Sequence, residues 1–310
     1  MMKFSIRNKL TFWSIQLASF FSERNFETNT LGFARSLLAF GLLMTLITNP
    51  ISNFFYTDLN ENPLSPVLLQ ESFVNKINFF LLWGYDDVLY MKILAIIILL
   101  TVISGYFIKI TSILHWWVTW SFMLFSSAID GGDQIASNLS LLLIPICILD
   151  SRNNHWISND IKDDSNNLYK KVNAYFFILL IRFQMAIIYF HAAVGKFSVQ
   201  EWAEGTAVYY WFNNSVFGMP NYLHPLLDPI LHNQYGVLFV THGVMIFELL
   251  LFSCLTMATN KRKYLFVPAI IFHFSIIMIH GIFSFFFSMA AGLTIYLLDI
   301  NRPLSNQLER

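Results

Sequence analysis

The sequence predicts an all-α fold: a polytopic membrane helix bundle of about eight transmembrane helices with helical extracytoplasmic caps. Three observations predict it. The 310 residues are 56% hydrophobic and only 12% charged, against about 25% charged in ordinary soluble proteins. Eight stretches approach the roughly 20 apolar residues that a helix needs to cross the hydrocarbon core. With the N-terminus placed inside, the basic residues also sort by side. Lys76, Lys92 and Lys196 fall outside, Arg35 and Arg182 fall within stretches, and every other one of the 19 falls inside, as the positive-inside rule requires. This composition excludes a soluble globular enzyme and a disordered chain. A net charge of zero excludes a nucleic-acid partner held by a basic surface.

Residues 1–30 read as a cytoplasmic, interfacial, amphipathic segment. Lys3, Arg7 and Lys9 lead into Leu10, Trp13, Leu17 and Phe21 at helical spacing, which suits a helix lying on the inner surface. An ordinary basic tail is the plainer alternative. The apolar run is too broken for a cleaved signal peptide. The stretches follow at 31–48, 92–110, 113–129, 134–150, 173–195, 236–258, 264–280 and 282–298. They make residues 31–300 one transmembrane domain, with 301–310 as a cytoplasmic tail. The chain is expected in the plasma (inner) membrane, multi-pass, surrounded by lipid, with both ends cytoplasmic. Outer segments 49–91 and 196–235 carry prolines and aromatics rather than Gly/Ser repeats and read as folded caps. Within the first, Phe73–Trp83 looks like an amphipathic helix lying flat. Inner segment 151–171 is polar and reads as a plain loop. Cys147 and Cys254 lie toward the inner side, where a structural disulfide is not expected.

Ionisable groups inside spans are costly and mark functional candidates. Arg35 sits in the first turn of its stretch and reads as an anchor that snorkels inward. Arg182 lies about 14 Å into the fifth stretch and Glu248 about 18 Å into the sixth, at 1.5 Å per residue. His273 falls near the middle of the seventh. These depths predict a structural ion pair between Arg182 and Glu248, with His273 beside it; a proton or substrate site is the functional alternative. Arg182, Tyr189 and Lys196 recur every seven residues on one helical face. Lys196, His191, His242 and His280 gather near the outer mouth, where desolvation can turn a lysine into a base. Ordinary packing is the competing reading for each histidine. No HExxH or paired-cysteine spacing supports a metal site. At Asp130-Gly131-Gly132-Asp133 a cation site competes with helix capping by Asp133.

The run Tyr189-Phe190-His191-Ala192-Ala193-Val194-Gly195-Lys196, followed by Glu201-Trp202-Ala203-Glu204-Gly205-Thr206-Ala207, resembles the horizontally transferred transmembrane domain family and its relative, the vitamin K-dependent gamma-carboxylase. Glu248, Pro268, His273 and Gly281-Ile282-Phe283 continue the likeness. The turn at Asp130–Asp133, with Asp150-Ser151-Arg152 and His155-Trp156 after it, is similar to the sporulation-delaying protein B branch. Catalytic candidates are therefore Lys196, which the resemblance makes the base, with His191, His242, Glu248 and His273, and binding candidates are Trp202, Gly205, Asp130 and Asp133. Gly195 departs from the carboxylase, which has a second lysine there. The branch implies maturation or export of a secreted antimicrobial peptide, an SdpC-like toxin precursor, together with a small SdpA-like partner protein. The carboxylase side implies the alternative, a quinone-linked membrane enzyme; a quinone cofactor rests on this resemblance alone. A transporter coupled through Arg182 and Glu248 is a third reading, disfavoured because no internal repeat is visible.

Overall fold

All eight apolar stretches fold as helices in the computed structural model, which describes residues 16, 18–55, 73–84, 86–159 and 168–307. They are α1 (Asn29–Thr48), α2 (Val88–Ser104), α3 (Ile108–Phe125), α4 (Gly131–Leu149), α5 (Leu168–Lys196), α6 (Gln234–Ser253), α7 (Phe266–His280) and α8 (Phe283–Leu297). Five helices are long and apolar enough to cross a membrane: α1, α4, α5, α6 and the run Thr259–His280 that ends with α7. α2 and α8 are shorter apolar helices. α3 has a span's length, but Lys109, Ser112, His115 and Ser121 dilute its apolar sequence. No strand forms among the described residues. The single antiparallel bridge joins Tyr106 to Asn154.

The core sits on α8, which packs against α1, α4, α5 and α7. Every residue from Ser288 to Leu297 is buried. Small residues allow this: a Cβ added at Gly292 would run into the Met185 thioether of α5, so the α5 side chain seats directly on the α8 backbone. α7 is the opposite case, burying only Ala269 and His273 and presenting the rest of its apolar surface outward.

Both described chain ends meet at one end of the bundle, called here the terminal end. Thr28 and Thr30 donate to the carbonyls of Ile300 and Arg302, each at 2.7 Å. Asn25 reaches Asn159 O, and Lys263 reaches Gln307 O. The α2–α3 turn joins them, with His155 N donating to Gly105 O. The helices therefore alternate in direction, and the remaining connections lie at the far end. There Ser127 N bonds Phe54 O and Ser284 bonds Asp130.

Three expectations change. Arg35 does not snorkel: it is 2% exposed and donates to His155 Nδ1 at 3.2 Å and Thr111 Oγ1 at 2.5 Å. Segment 151–159 is not a plain loop, because Arg152, Asn154 and His155 are buried in it. Phe73–Trp83 does not form one flat helix. It breaks after Lys76 into the 3-10 turn Phe79–Leu81, because Phe79 and Phe80 plug between α2 and α3 beside Phe55 and Phe122. Leu10, Trp13 and Leu17 of the amphipathic N-terminal reading lie outside the described residues.

Candidate functional site

α5 runs 29 residues and ends at Lys196. The chain then turns through Phe197–Val199 into the short helix Gln200–Ala203. Gly205 follows with φ +79, a left-handed conformation that glycine adopts without a Cβ penalty. A Cβ there would also strike Leu238 of α6. The turn folds the segment back onto α6, where Val208 N bonds Thr241 Oγ1 and His242 Nε2 donates to Ala203 O at 3.3 Å. Trp202 is thereby carried over the end of α5.

The Lys196 ammonium meets both oxygens of Glu248, at 2.7 and 2.8 Å. It also donates to Ala192 O at 3.0 Å, and it lies 5.1 Å from the centre of the Trp202 ring, within cation–π reach. The pair is asymmetric in its access to solvent. Its side chains are 19% (Lys196) and 8% (Glu248) exposed, so the lysine is the member that a bound group can approach. Two turns earlier on the same face of α5, Tyr189 OH lies 2.9 Å from His273 Nε2 of α7. His273 Nδ1 is buried without a partner. Tyr189 and His273 thus share one buried hydrogen bond, and the second imidazole nitrogen is left unpaired.

The expected Arg182–Glu248 pair is not formed. α6 starts at Gln234 and runs antiparallel to α5, which brings Glu248 to the end of α5 rather than its middle. Arg182 Nε donates instead to Ile295 O at 3.1 Å. The gathering of histidines at the mouth is only partial. His191 is exposed and touches Phe190. His280 Nδ1 donates to Phe217 O at 2.7 Å, and with His242 it holds segment 197–233 in place. Asp130 is the N-cap of α4 and forms a capping box with Asp133 at N3, so capping accounts for their spacing within the turn. They also line a far-end cleft of about 560 Å³ with Thr48, Asn49 and Phe283. Among the described residues no group of three His, Cys, Asp or Glu side chains is placed to hold a metal.

A second polar centre, which sequence reasoning missed, lies at the terminal end. Arg152 forms a two-pronged pair with Asp150, at 2.6 Å in its shorter arm, and donates to His155 O and Ile157 O. Arg35 has only hydrogens to give, so His155 Nδ1 accepts and Nε2–H donates to Ser36 Oγ at 3.1 Å. Burial, with Arg35 and Arg152 nearby, pushes the His155 imidazole down to about 3. Glu27 also lies below its ordinary value: burial raises it, but bonds from Ser151 and Asn159 outweigh that. The signal that could have found this centre was the density of Asp, Arg, Asn and His between residues 150 and 155, too rich for an idle loop.

A quinone served by Lys196 requires a free amine. Ala192 O and both Glu248 oxygens stand around the Lys196 nitrogen as acceptors, which suits a hydrogen-bond donor rather than a base. The arrangement does not fit that role, and no step through a quinone is derived.

The HTTM domain model matches residues 23–299. The chain is 34% identical to Sporulation-delaying protein SdpB of Bacillus subtilis (strain 168) over 282 residues, covering 89% of this chain and 83% of that one. It is 30% identical to Uncharacterized protein YitO of the same strain over 303 residues, covering 97% and 92%. No solved structure matches the chain.

Proposed function

The chain is a membrane protein that belongs to the SdpB/HTTM family, and from that premise we propose that it matures or exports a secreted antimicrobial peptide. In this reading the helices cross the plasma membrane eight times with both ends cytoplasmic. The far end is then extracytoplasmic, and the precursor is handled there together with a small partner protein. One observation carries the reading: the Lys196–Glu248 pair is held where α5 ends, against the later turns of α6 and beside Trp202, and is partly open. An ion pair inside a fold is destabilising to break. A pair left ajar can exchange one partner for a charged group of a substrate. Here Lys196 would take a carboxylate of the precursor while Glu248 keeps the ammonium oriented.

The test is mass spectrometry of the secreted peptide from cells carrying wild-type or Lys196→Met protein, with both proteins quantified in the membrane. Loss of the mature peptide, or a shift in its mass, at equal protein level is the expected result. An unchanged mature peptide would reduce Lys196 to a packing residue and remove the proposed site.

A further inference from the structure

We propose that segment 197–233, with the first turns of α6, is seated in the lipid of the far-end membrane interface rather than standing in water as a cap. The proposal rests on the far-end reading above and extends it to the route by which a substrate arrives.

The first observation is charge. Between Gly205 and Phe247 the one formally charged residue is Asp228. The other acidic groups of the segment, Glu201 and Glu204, lie at its start. The second is exposure. Val216 is 87% exposed, Phe239 80%, Tyr235 71% and Leu226 70%, and Tyr210, Trp211 and Tyr222 are exposed with them. Water-facing surfaces of soluble proteins rarely present so continuous an apolar patch. The mixture is also specific: tyrosine and tryptophan with Asn213, Asn214, His232 and Asn233 is the composition of an interfacial belt, where an apolar ring body meets lipid and its polar tip meets headgroups. The third is continuity. The exposed apolar residues Phe183, Phe190 and Val194 of α5 are followed by exposed Phe197 and Val199, and Leu238 and Phe239 of α6 are exposed as well. α5 and α6 are both long and apolar enough to span, so the segment prolongs a lipid-facing surface. Its inner face is satisfied by the bundle, through Val208, Met219, Leu231 and Val237.

One consequence concerns substrate class. Trp202 and Lys196 lie at the base of this segment, so a group reaching them passes along lipid. The fitting substrate is an amphipathic chain already lying in the interface, such as a membrane-bound peptide, rather than a freely soluble one.

The test places an environment-sensitive NBD probe on cysteine at Val216→Cys or Phe239→Cys, in full-length protein with Cys147→Ala and Cys254→Ala, reconstituted in phosphatidylcholine vesicles. Phe183→Cys on the outward face of α5 and Lys261→Cys at the exposed terminal end calibrate lipid and water. Quenching by doxyl lipid labelled near the headgroup, as strong as at Phe183 and with iodide quenching well below that at Lys261, is the expected result. Iodide quenching equal to that at Lys261, without lipid quenching, overturns the proposal. Protection from both quenchers also overturns it, since a second copy or a partner protein would then cover the face. The probe reads lipid contact directly, so it fails or succeeds independently of peptide maturation.

Discussion

The two polar centres of this bundle contain the same kinds of residue and are built in opposite ways. At the terminal end, Arg152, Asp150, Arg35 and His155 are all at least nine-tenths buried. Each finds its partners within one short segment and the helices around it. At the far end, Lys196 is partly open, Tyr189 and His273 leave a ring nitrogen without a partner, and the covering segment exposes aromatics. The contrast separates a lock from a workplace. Buried charge that is fully bonded fixes how helices meet. Charge that is held in place and left accessible has capacity to bind something else.

The largest expected effect breaks the lock. Arg152→Leu leaves the Asp150 carboxylate buried without its two-pronged partner, and losing one member of a buried pair costs about 3–5 kcal/mol. Unfolding in mixed micelles should show a loss of that order. Peptide maturation, normalised to folded protein, should be unchanged. A specific loss of maturation at normal stability would place function at the terminal end and reverse the comparison.

The next effect concerns the far pair. Lys196→Met and Glu248→Leu each strand a charge, whereas the double variant strands none. A double-mutant cycle should therefore return a favourable coupling of up to ~3 kcal/mol, in the range for contacting residues. Additive losses would mean that the pair does not persist in the membrane.

Acid should act on the lock. His155 in the folded protein titrates at about 3, against about 6.5 for an ordinary imidazole. Between those values the unfolded chain binds a proton that the folded one refuses, so stability rises with pH there. Stability present at pH 7 is thus lost progressively as pH falls below 6.5, by about 2 kcal/mol at pH 5 for this one group. Glu27, also depressed, acts in the same direction at lower pH. Stability measured across that window should fall, and His155→Asn should flatten the slope. A slope unchanged in His155→Asn would assign the acid sensitivity to other groups.

Much of the helical frame was legible because apolar runs of span length are set by bilayer physics. Capping at Asp130–Asp133 was legible because capping is local, although the N-cap is Asp130 rather than Asp133. The partner of Glu248 was not. Depth counting assumed that α5 and α6 cross the same slab, but α6 reaches past the end of α5 and is wrapped by segment 197–233, so equal depths in sequence were not equal heights in space. Arg35 was misjudged for a related reason. Snorkelling assumes water beyond the helix end, and segment 151–159 fills that space with His155. Gly32 carries the same message: a Cβ there would sit 2.5 Å from His155 O, a long-range contact that no local pattern announces.

The smallest expected effect is the sharpest discriminator. Arg182 is half-buried and Glu248 buried on neighbouring helices, and a sequence-level argument pairs them. In the structure Arg182 is bonded to Ile295 O and Glu248 to Lys196. They share no partner, so the cycle built from Arg182→Leu and Glu248→Leu should be additive within about 0.5 kcal/mol, even though each single change is destabilising. Placed beside the Lys196–Glu248 cycle, it holds the Glu248 substitution constant and changes only the cation. Strong coupling to Lys196 with none to Arg182 fixes Glu248 at the far end. Coupling to Arg182 instead would slide α6 inward by several turns, unmake the open pair, and take the proposed site with it.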